Sequence, residues 1–323
     1  MYAGAEHSKV EDAHQVGNIT QYHAVESDYK KNTREMPCIS PILVRDPLKR
    51  QQLNTSSFPC GRCGPCRKSR SAAWAVRLKV ELQYAYKPQF LTLTQEDEYL
   101  EYTPDGELTL NKSTLQKFIK RLRKYNDAYW IQDNPQRADF SKDINIRQFR
   151  YYAIGEYGDK FQRPHYHMLA FNLHDKTNER LEEIWKRGFI KRGDISEASI
   201  RYVTNYVNKL TFEKNPSAQP EFALMSRRPP IGYQYINTHS QYHQKTGMTY
   251  MQDGPQKVTL PRLYRDKMLS GGQKLRANWE FRKKLIQEDN EIFKEYGPKM
   301  FAVQKSRTDD KIRKFTNAKN KRK

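Results

Sequence analysis

Apolar and polar positions along this chain repeat with two different periods, and the switches between them outline its elements. Phe90-Leu91-Thr92-Leu93-Thr94 alternates apolar with hydroxyl residues between Pro88 and an acidic stretch, so it reads as a strand suited to the centre of a sheet. A helical period follows. Leu115, Phe118, Ile119 and Leu122 form one stripe, Lys117, Lys120, Arg121, Arg123 and Lys124 stay off it, and Asn111 or Ser113 is placed to cap the start. That helix is expected to reach about residue 125, and the polar residues 133–147 read as loop. Residues 148–171 hold two strand-like runs on either side of the turn-prone Gly158-Asp159-Lys160-Phe161-Gln162-Arg163-Pro164, which predicts a hairpin. Leu181, Ile184 and Trp185 then mark a helix that Gly188 ends, and residues 189–195 a short strand. Val203, Val207 and Leu210 are the apolar stripe of a further helix, with Ser196 or Ser199 as its cap.

Outside this stretch the pattern is sparser. Trp74, Leu78 and Leu82 recur at helical spacing within residues 67–86, and residues 274–296 read as one long charged helix. Residues 216–263 are rich in Pro, Gly, Tyr and Gln and yield no clear elements. The division that results is a mobile arm over 1–36, a cysteine-bearing segment with a helix over 37–87, a core over 88–211, and an extension with the long helix and a basic tail over 212–323. Strand, helix, strand, strand, helix, strand, helix is the order within the core. It suits an α+β fold in which an antiparallel sheet has helices packed on one face and leaves the other open.

Chemistry concentrates on that open face. In Arg163-Pro164-His165-Tyr166-His167-Met168-Leu169-Ala170-Phe171 a strand would turn His165 and His167 the same way and Tyr166, Met168 and Ala170 the other. Two imidazoles side by side suit one divalent metal ion, and Glu156 on the preceding run would add a carboxylate. Tyr202, Tyr206 and Lys209 fall at i, i+4 and i+7 on one helical face, which the neighbouring apolar stripe would aim at the metal. Phenol ionises near ~10, so a nearby cation and Lys209 would be needed to favour the nucleophilic phenolate. The plainer reading makes both tyrosines core residues.

All four cysteines lie between Cys38 and Cys66, with Cys60, Cys63 and Cys66 as C-x-x-C-x-x-C. Four thiolates are the number a structural zinc site uses, although three ligands at three-residue steps and a first ligand 22 residues away make an uneven spacing. The alternative is a set of buried thiols at a helix start.

Composition sharpens the choice of partner. Lys and Arg number 58 against 37 Asp and Glu, a net charge of +21, alongside 21 Tyr and 14 Phe. Such a surface neutralises phosphates and stacks on bases, as single-strand binders do. No apolar run approaches the ~20 residues of a spanning helix, and the N-terminus lacks a signal-peptide core, so no membrane partner and a cytoplasmic location are expected.

At this point the sequence resembles the HUH endonucleases, which start rolling-circle replication and conjugative transfer. Phe90 to Thr94 looks like the first motif of that family, His165-Tyr166-His167 its metal motif, and Tyr202 with Tyr206 its paired nucleophile. Pro59-Cys60-Gly61-Arg62-Cys63-Gly64-Pro65-Cys66-Arg67 and Ser226-Arg227-Arg228-Pro229-Pro230-Ile231-Gly232 resemble the replication initiators of small single-stranded DNA phages, the gokushovirus branch of the Microviridae. The likeness covers residues 37 to 235.

It implies an HUH core of RRM or ferredoxin-like topology and a Mg2+ or Mn2+ ion on Glu156, His165 and His167. It also implies site-specific nicking and joining of single-stranded DNA through a 5′-phosphotyrosine, with Tyr202, Tyr206 and Lys209 as the catalytic set. Arg163, Arg201, Arg227 and Arg228 are the candidate DNA contacts. The partners would be the single-stranded and supercoiled viral origin, a host polymerase and a host helicase, since no ATP-binding loop of the G-x-x-x-x-G-K-[ST] kind occurs. The place would be the cytoplasm of a bacterial host. A plasmid-type rolling-circle protein or mobilisation relaxase, a metal-dependent hydrolase that uses water, and a non-catalytic basic nucleic-acid binder are the alternatives.

Overall fold

The computed structural model describes residue 38 and residues 42–45, 55–134, 148–205 and 217–300, with 302, 306 and 310 beyond them. The expected N-terminal arm, Tyr206, Lys209, most of the 133–147 loop and the basic tail lie outside the described residues.

A hairpin of β1 (Ile42–Arg45) and β2 (Thr55–Phe58) precedes helix α1 (Gly64–Tyr84), where Pro65 sits in the first turn. Strand β3 (Gln89–Leu93) follows, then a small hairpin of β4 (Glu101–Tyr102) and β5 (Leu108–Thr109), and helix α2 (Lys112–Asp133). Asn111 caps α2 by accepting from the Thr114 amide at 3.1 Å. Two eight-residue strands come next, β6 (Arg150–Tyr157) and β7 (Pro164–Phe171). Short helices α3 (Asp175–Glu179) and α4 (Leu181–Trp185) lead to β8 (Ile190–Gly193) and α5 (Glu197–Asn205). The remainder comprises β9 (Phe222–Met225), α6 (Gln234–Thr246), a hairpin of β10 (Tyr250–Asp253) and β11 (Gln256–Thr259), α7 (Arg262–Met268) and α8 (Gly271–Tyr296). The long helix thus begins three residues earlier than its charge pattern predicts, under a capping box of Ser270 and Gln273.

Five strands form one antiparallel sheet in the order β8-β3-β7-β6-β9. The α+β class and the antiparallel sheet are those expected. The centre, however, is β7 and not β3: the two longest strands, apolar on both faces, take the positions with neighbours on each side, and four-residue strands take the edges. The expectation of helices on one face alone also needs correction. On one side Leu91, Leu93, Tyr166, Met168 and Ala170 pack against Leu115, Phe118 and Leu122 of α2 and Ile184 and Trp185 of α4. On the other, Tyr152, Ile154, Leu169 and Phe171 pack against Leu78 of α1 and Ile200 and Val203 of α5. Strands apolar on both faces must be covered on both, since each large side chain fully buried contributes roughly 1.5–3 kcal/mol. The second layer stops short at one end of β6 and β7, and the histidines are there.

Residues 216–263 are more ordered than their composition suggests. Beyond β9, Met251, Leu260, Tyr264 and Met268 build a small core on Val76 and Val80 of α1. The Ser-Arg-Arg-Pro-Pro-Ile-Gly segment ties this lobe to the sheet. Arg150 and Glu81, each only 1% exposed, form an ion pair, with Arg150 Nη2 donating to Glu81 Oε2 at 3.1 Å. The guanidinium also donates to Pro229 O and Pro230 O, each at 2.9 Å, and the Gly232 amide to Glu81 Oε2 at 2.7 Å. Gly232 has φ +71° and sits where a Cβ would lie 2.5 Å from Arg77 O, so glycine is required.

Candidate metal and nucleophile site

The β6–β7 register puts Glu156 directly opposite His165 and Ile154 opposite His167. Alternation along β7 then turns His165 and His167 to the face that carries α1 and α5, as expected. Glu156 Oε1 lies 2.8 Å from His165 Nε2 and 2.9 Å from His167 Nε2, and the ligand atoms of the three residues all lie within 4.8 Å of one another.

Neighbouring groups fix both rings. His165 Nδ1 meets Arg163 O at 3.1 Å; a carbonyl only accepts, so Nδ1 carries the proton. In the neutral ring Nε2 is then a lone pair aimed at a carboxylate oxygen, a repulsive pairing unless a cation lies between them, either a second ring proton or a metal ion. His167 Nδ1 is held at 3.0 Å by Thr92 Oγ1, its cross-strand partner on β3, and Phe90 stacks on its ring at 5.4 Å. Anchored Nδ1 atoms with both Nε2 atoms converging are what metal-binding histidines need. Glu156 Oε2 is buried and has no hydrogen-bond partner. A buried carboxylate with an unsatisfied oxygen fits a missing cation, so the residues present suit a divalent ion.

Tyr202 completes the cluster. Ile200 and Val203 of α5 enter the core, which sets Tyr202 on the flank, 40% exposed, with its ring edge-on to His167 at 5.1 Å. Its hydroxyl donates to Glu156 Oε1, the oxygen both histidines also meet. Ser196 and Ser199 cap α5 reciprocally, at 2.8 and 3.1 Å, and α1 holds it at both ends through Lys79–Glu197 at 2.9 Å and Ser71–Asn205 at 3.1 Å.

Electrostatics follow from these contacts. Burial works to raise the Glu156 carboxyl, but the hydrogen bonds from His165, His167 and Tyr202 outweigh it and bring it down to about 2. Burial, then the bond to anionic Glu156, pushes the Tyr202 phenol well above its ordinary value. Against anionic Glu156 the phenol stays protonated. A cation held by Glu156 would relieve that penalty.

The other expected residues are scattered. Arg163 donates to Asp97 Oδ1 at 2.5 Å and to Gln95 O, which fixes the hairpin turn beside the site. Arg201, 68% exposed, pairs with Glu197 at 3.0 Å, next to Tyr202. Arg227 and Arg228 are exposed at the turn whose prolines accept from Arg150. Basic residues of α2 such as Lys117, Lys120 and Lys124 are exposed too, but α2 covers the sheet face opposite the histidines. Cys38, Cys60, Cys63 and Cys66 do come together, with sulfurs within 4.8 Å of one another. Thr92, Phe90, Glu81 and Arg150 were not singled out from the sequence. Thr92 was legible as a polar residue on the histidine face of a strand; Arg150 and Glu81 were legible only as charges on apolar faces.

Comparison with known proteins bears on this constellation. The family model for replication-associated protein ORF2 matches residues 88–211, from β3 through α5. Replication-associated protein ORF2 of Spiroplasma virus 4 is 28% identical over 272 residues, which is 72% of this chain and 80% of that protein. Replication-associated protein VP4 of Bdellovibrio phage phiMH2K is 30% identical over 236 residues, 67% of this chain and 69% of the relative. Replication-associated protein ORF4 of Chlamydia phage 1 is 27% identical over 198 residues, 55% of this chain and 45% of its own length. No solved structure matches. Among the described residues, no helix is long and apolar enough to cross a membrane.

Proposed function

This chain belongs to the family of phage replication-associated proteins typified by ORF2, and on that footing we propose that it starts rolling-circle replication by cutting and rejoining single-stranded viral DNA through a covalent link to Tyr202. The observation that carries the reading is the meeting of the Tyr202 hydroxyl and both histidine Nε2 atoms on Glu156 Oε1. A structural tyrosine would not need that convergence.

Glu156, His165 and His167 would hold a Mg2+ or Mn2+ ion, which when bound supplies positive charge for a phosphate oxygen and for a phenolate. The protein supplies the nucleophile and its alignment. Tyr202 Oη attacks the phosphorus, the P–O3′ bond breaks, the phenol loses its proton to solvent and the departing O3′ gains one. The product is a 5′-phosphotyrosine and a free 3′-hydroxyl from which a host polymerase can extend. One ester replaces another of similar energy, so the reverse attack by a 3′-hydroxyl can reseal the strand. Tyr206, four residues on in the sequence, is assigned the second cut, made while the first end is still attached.

The surface charge of +21 supports single-stranded and supercoiled origin DNA as the partner, with strand separation left to a host helicase in a bacterial cytoplasm. The test is a denaturing gel of single-stranded viral DNA incubated with protein and Mn2+. A protein–DNA adduct that Tyr202→Phe diminishes is expected. Nicking without linkage would indicate a water-using hydrolase, and a mobility shift alone a binding protein.

A further inference from the structure

We propose that Cys38, Cys60, Cys63 and Cys66 hold one zinc ion as four thiolates, and that this ion fastens the β1–β2 hairpin to the start of α1. The uneven spacing of the cysteines is resolved by the fold. Cys38 precedes β1 and Cys60 follows β2, so the antiparallel pairing of Ile42 with Phe58 brings the two ends of a 22-residue separation together. Cys63 is the N-cap residue of α1 and Cys66 lies in its first turn, three residues on, where neighbouring positions share a face.

The distances match the ion. Cys38 Sγ and Cys63 Sγ are 3.8 Å apart, far beyond a disulfide bond of about 2.05 Å. A tetrahedral zinc with Zn–S near 2.3 Å requires sulfur–sulfur edges of about 3.8 Å. Backbone amides also point at the sulfurs: Cys63 N and Arg62 N lie 3.3 and 3.4 Å from Cys60 Sγ, and Cys60 N lies 3.2 Å from Cys38 Sγ. Gly61 at φ +70° makes the tight turn that aims the first two. Donors of this kind stabilise thiolate and orient it, as groups behind a metal ligand do.

The consequence reaches the nucleophile helix. Ser71, five residues beyond Cys66 on α1, donates to Asn205 of α5 at 3.1 Å, and Leu78 further along α1 shares a core with Ile200 and Val203. Fixing the start of α1 therefore fixes the support against which α5 presents Tyr202.

The experiment is metal analysis of the full-length protein purified without chelator, with cobalt(II) substitution. Wild type should hold about one zinc per chain, and the cobalt form should show thiolate-to-metal charge transfer with tetrahedral ligand-field bands. Cys60→Ser should lose most of the zinc, whereas the His165→Ala/His167→Ala double variant should keep it, which separates this site from the proposed catalytic one. Should Cys60→Ser not fold, chelation of the wild type serves instead: all four thiols should become reactive, and amide exchange should quicken in β1, β2 and the first turns of α1. Wild type that retains no zinc after dialysis against it, a cobalt spectrum without thiolate charge transfer, or chelation that leaves exchange there unchanged would overturn the proposal.

Discussion

Glu156 and His165 face each other across the β6–β7 ladder, with Glu156 Oε1 2.8 Å from His165 Nε2. That pairing depends on register: a one-residue slip would turn the whole set to the opposite face. The three side chains are therefore expected to bind a divalent ion as a unit. Glu156→Gln should weaken Mn2+ binding, followed by calorimetry, by about 10-fold or more, and His165→Ala/His167→Ala should abolish it, while salt-sensitive DNA binding by the basic surface persists in both. Unchanged Mn2+ affinity in the double variant would remove the site.

Thr92 acts one step further out. Its hydroxyl holds His167 Nδ1 at 3.0 Å, so Thr92→Val should keep the fold and lower metal affinity by about 10–100-fold, whereas a purely structural hydroxyl would leave affinity untouched. Thr92→Ser should restore most of it.

The Glu81–Arg150 pair accounts for a segment that the sequence suggested as a DNA contact. Pro229, Pro230 and Gly232 are bound to this buried pair through their backbones, and only Arg227 and Arg228 of the segment point outward. Glu81→Ala or Arg150→Ala should each cost about 3–5 kcal/mol in denaturant unfolding, because each leaves a buried charge without its partner. The double replacement Glu81→Leu/Arg150→Met should cost less than the two single changes added together.

Much of the core was legible. The apolar stripe of α2, the hairpin and the histidine alternation are local periodic signals, and each element forms where its period predicts. What was not legible is non-local. The partner that covers Tyr152 and Ile154 is α1, about seventy residues upstream, and no local pattern reveals that both sheet faces are covered. The strand β9 was hidden because Phe222-Ala223-Leu224-Met225 is a short apolar run, which periodicity cannot distinguish from loop in a Pro-rich setting. The two tyrosines could not be ranked from spacing; the contact of Tyr202 with Glu156 distinguishes them, while Tyr206 lies outside the described residues.

Acid should loosen the C-terminal lobe. His243 is fully buried between Tyr235 Oη at 3.0 Å and Met248 O at 2.9 Å, and burial holds its pKa below the ordinary 6.5; His239 is shifted the same way, also by burial. The unfolded chain takes up protons near 6.5 where the native one does not. The stabilisation is therefore complete above that pH and lost as pH falls below it toward the native pKa. Unfolding free energy measured between neutral pH and mild acid should fall less steeply in His243→Gln than in the wild type.

Repeated transfer needs a second nucleophile. Tyr206→Phe should keep single-round cleavage and lose the release of closed circles in a reaction that runs many rounds. Full circle release by that variant would leave Tyr202 as sole nucleophile.

The central claim is that Tyr202 becomes bonded to DNA. Mass spectrometry of the peptide linked to single-stranded viral DNA after one round with Mn2+ tests it directly. The account predicts a nucleotide 5′-phosphate on Tyr202, and no such peptide from Tyr202→Phe. A linkage mapped to any other residue, or cleaved DNA with no linked peptide, would contradict it.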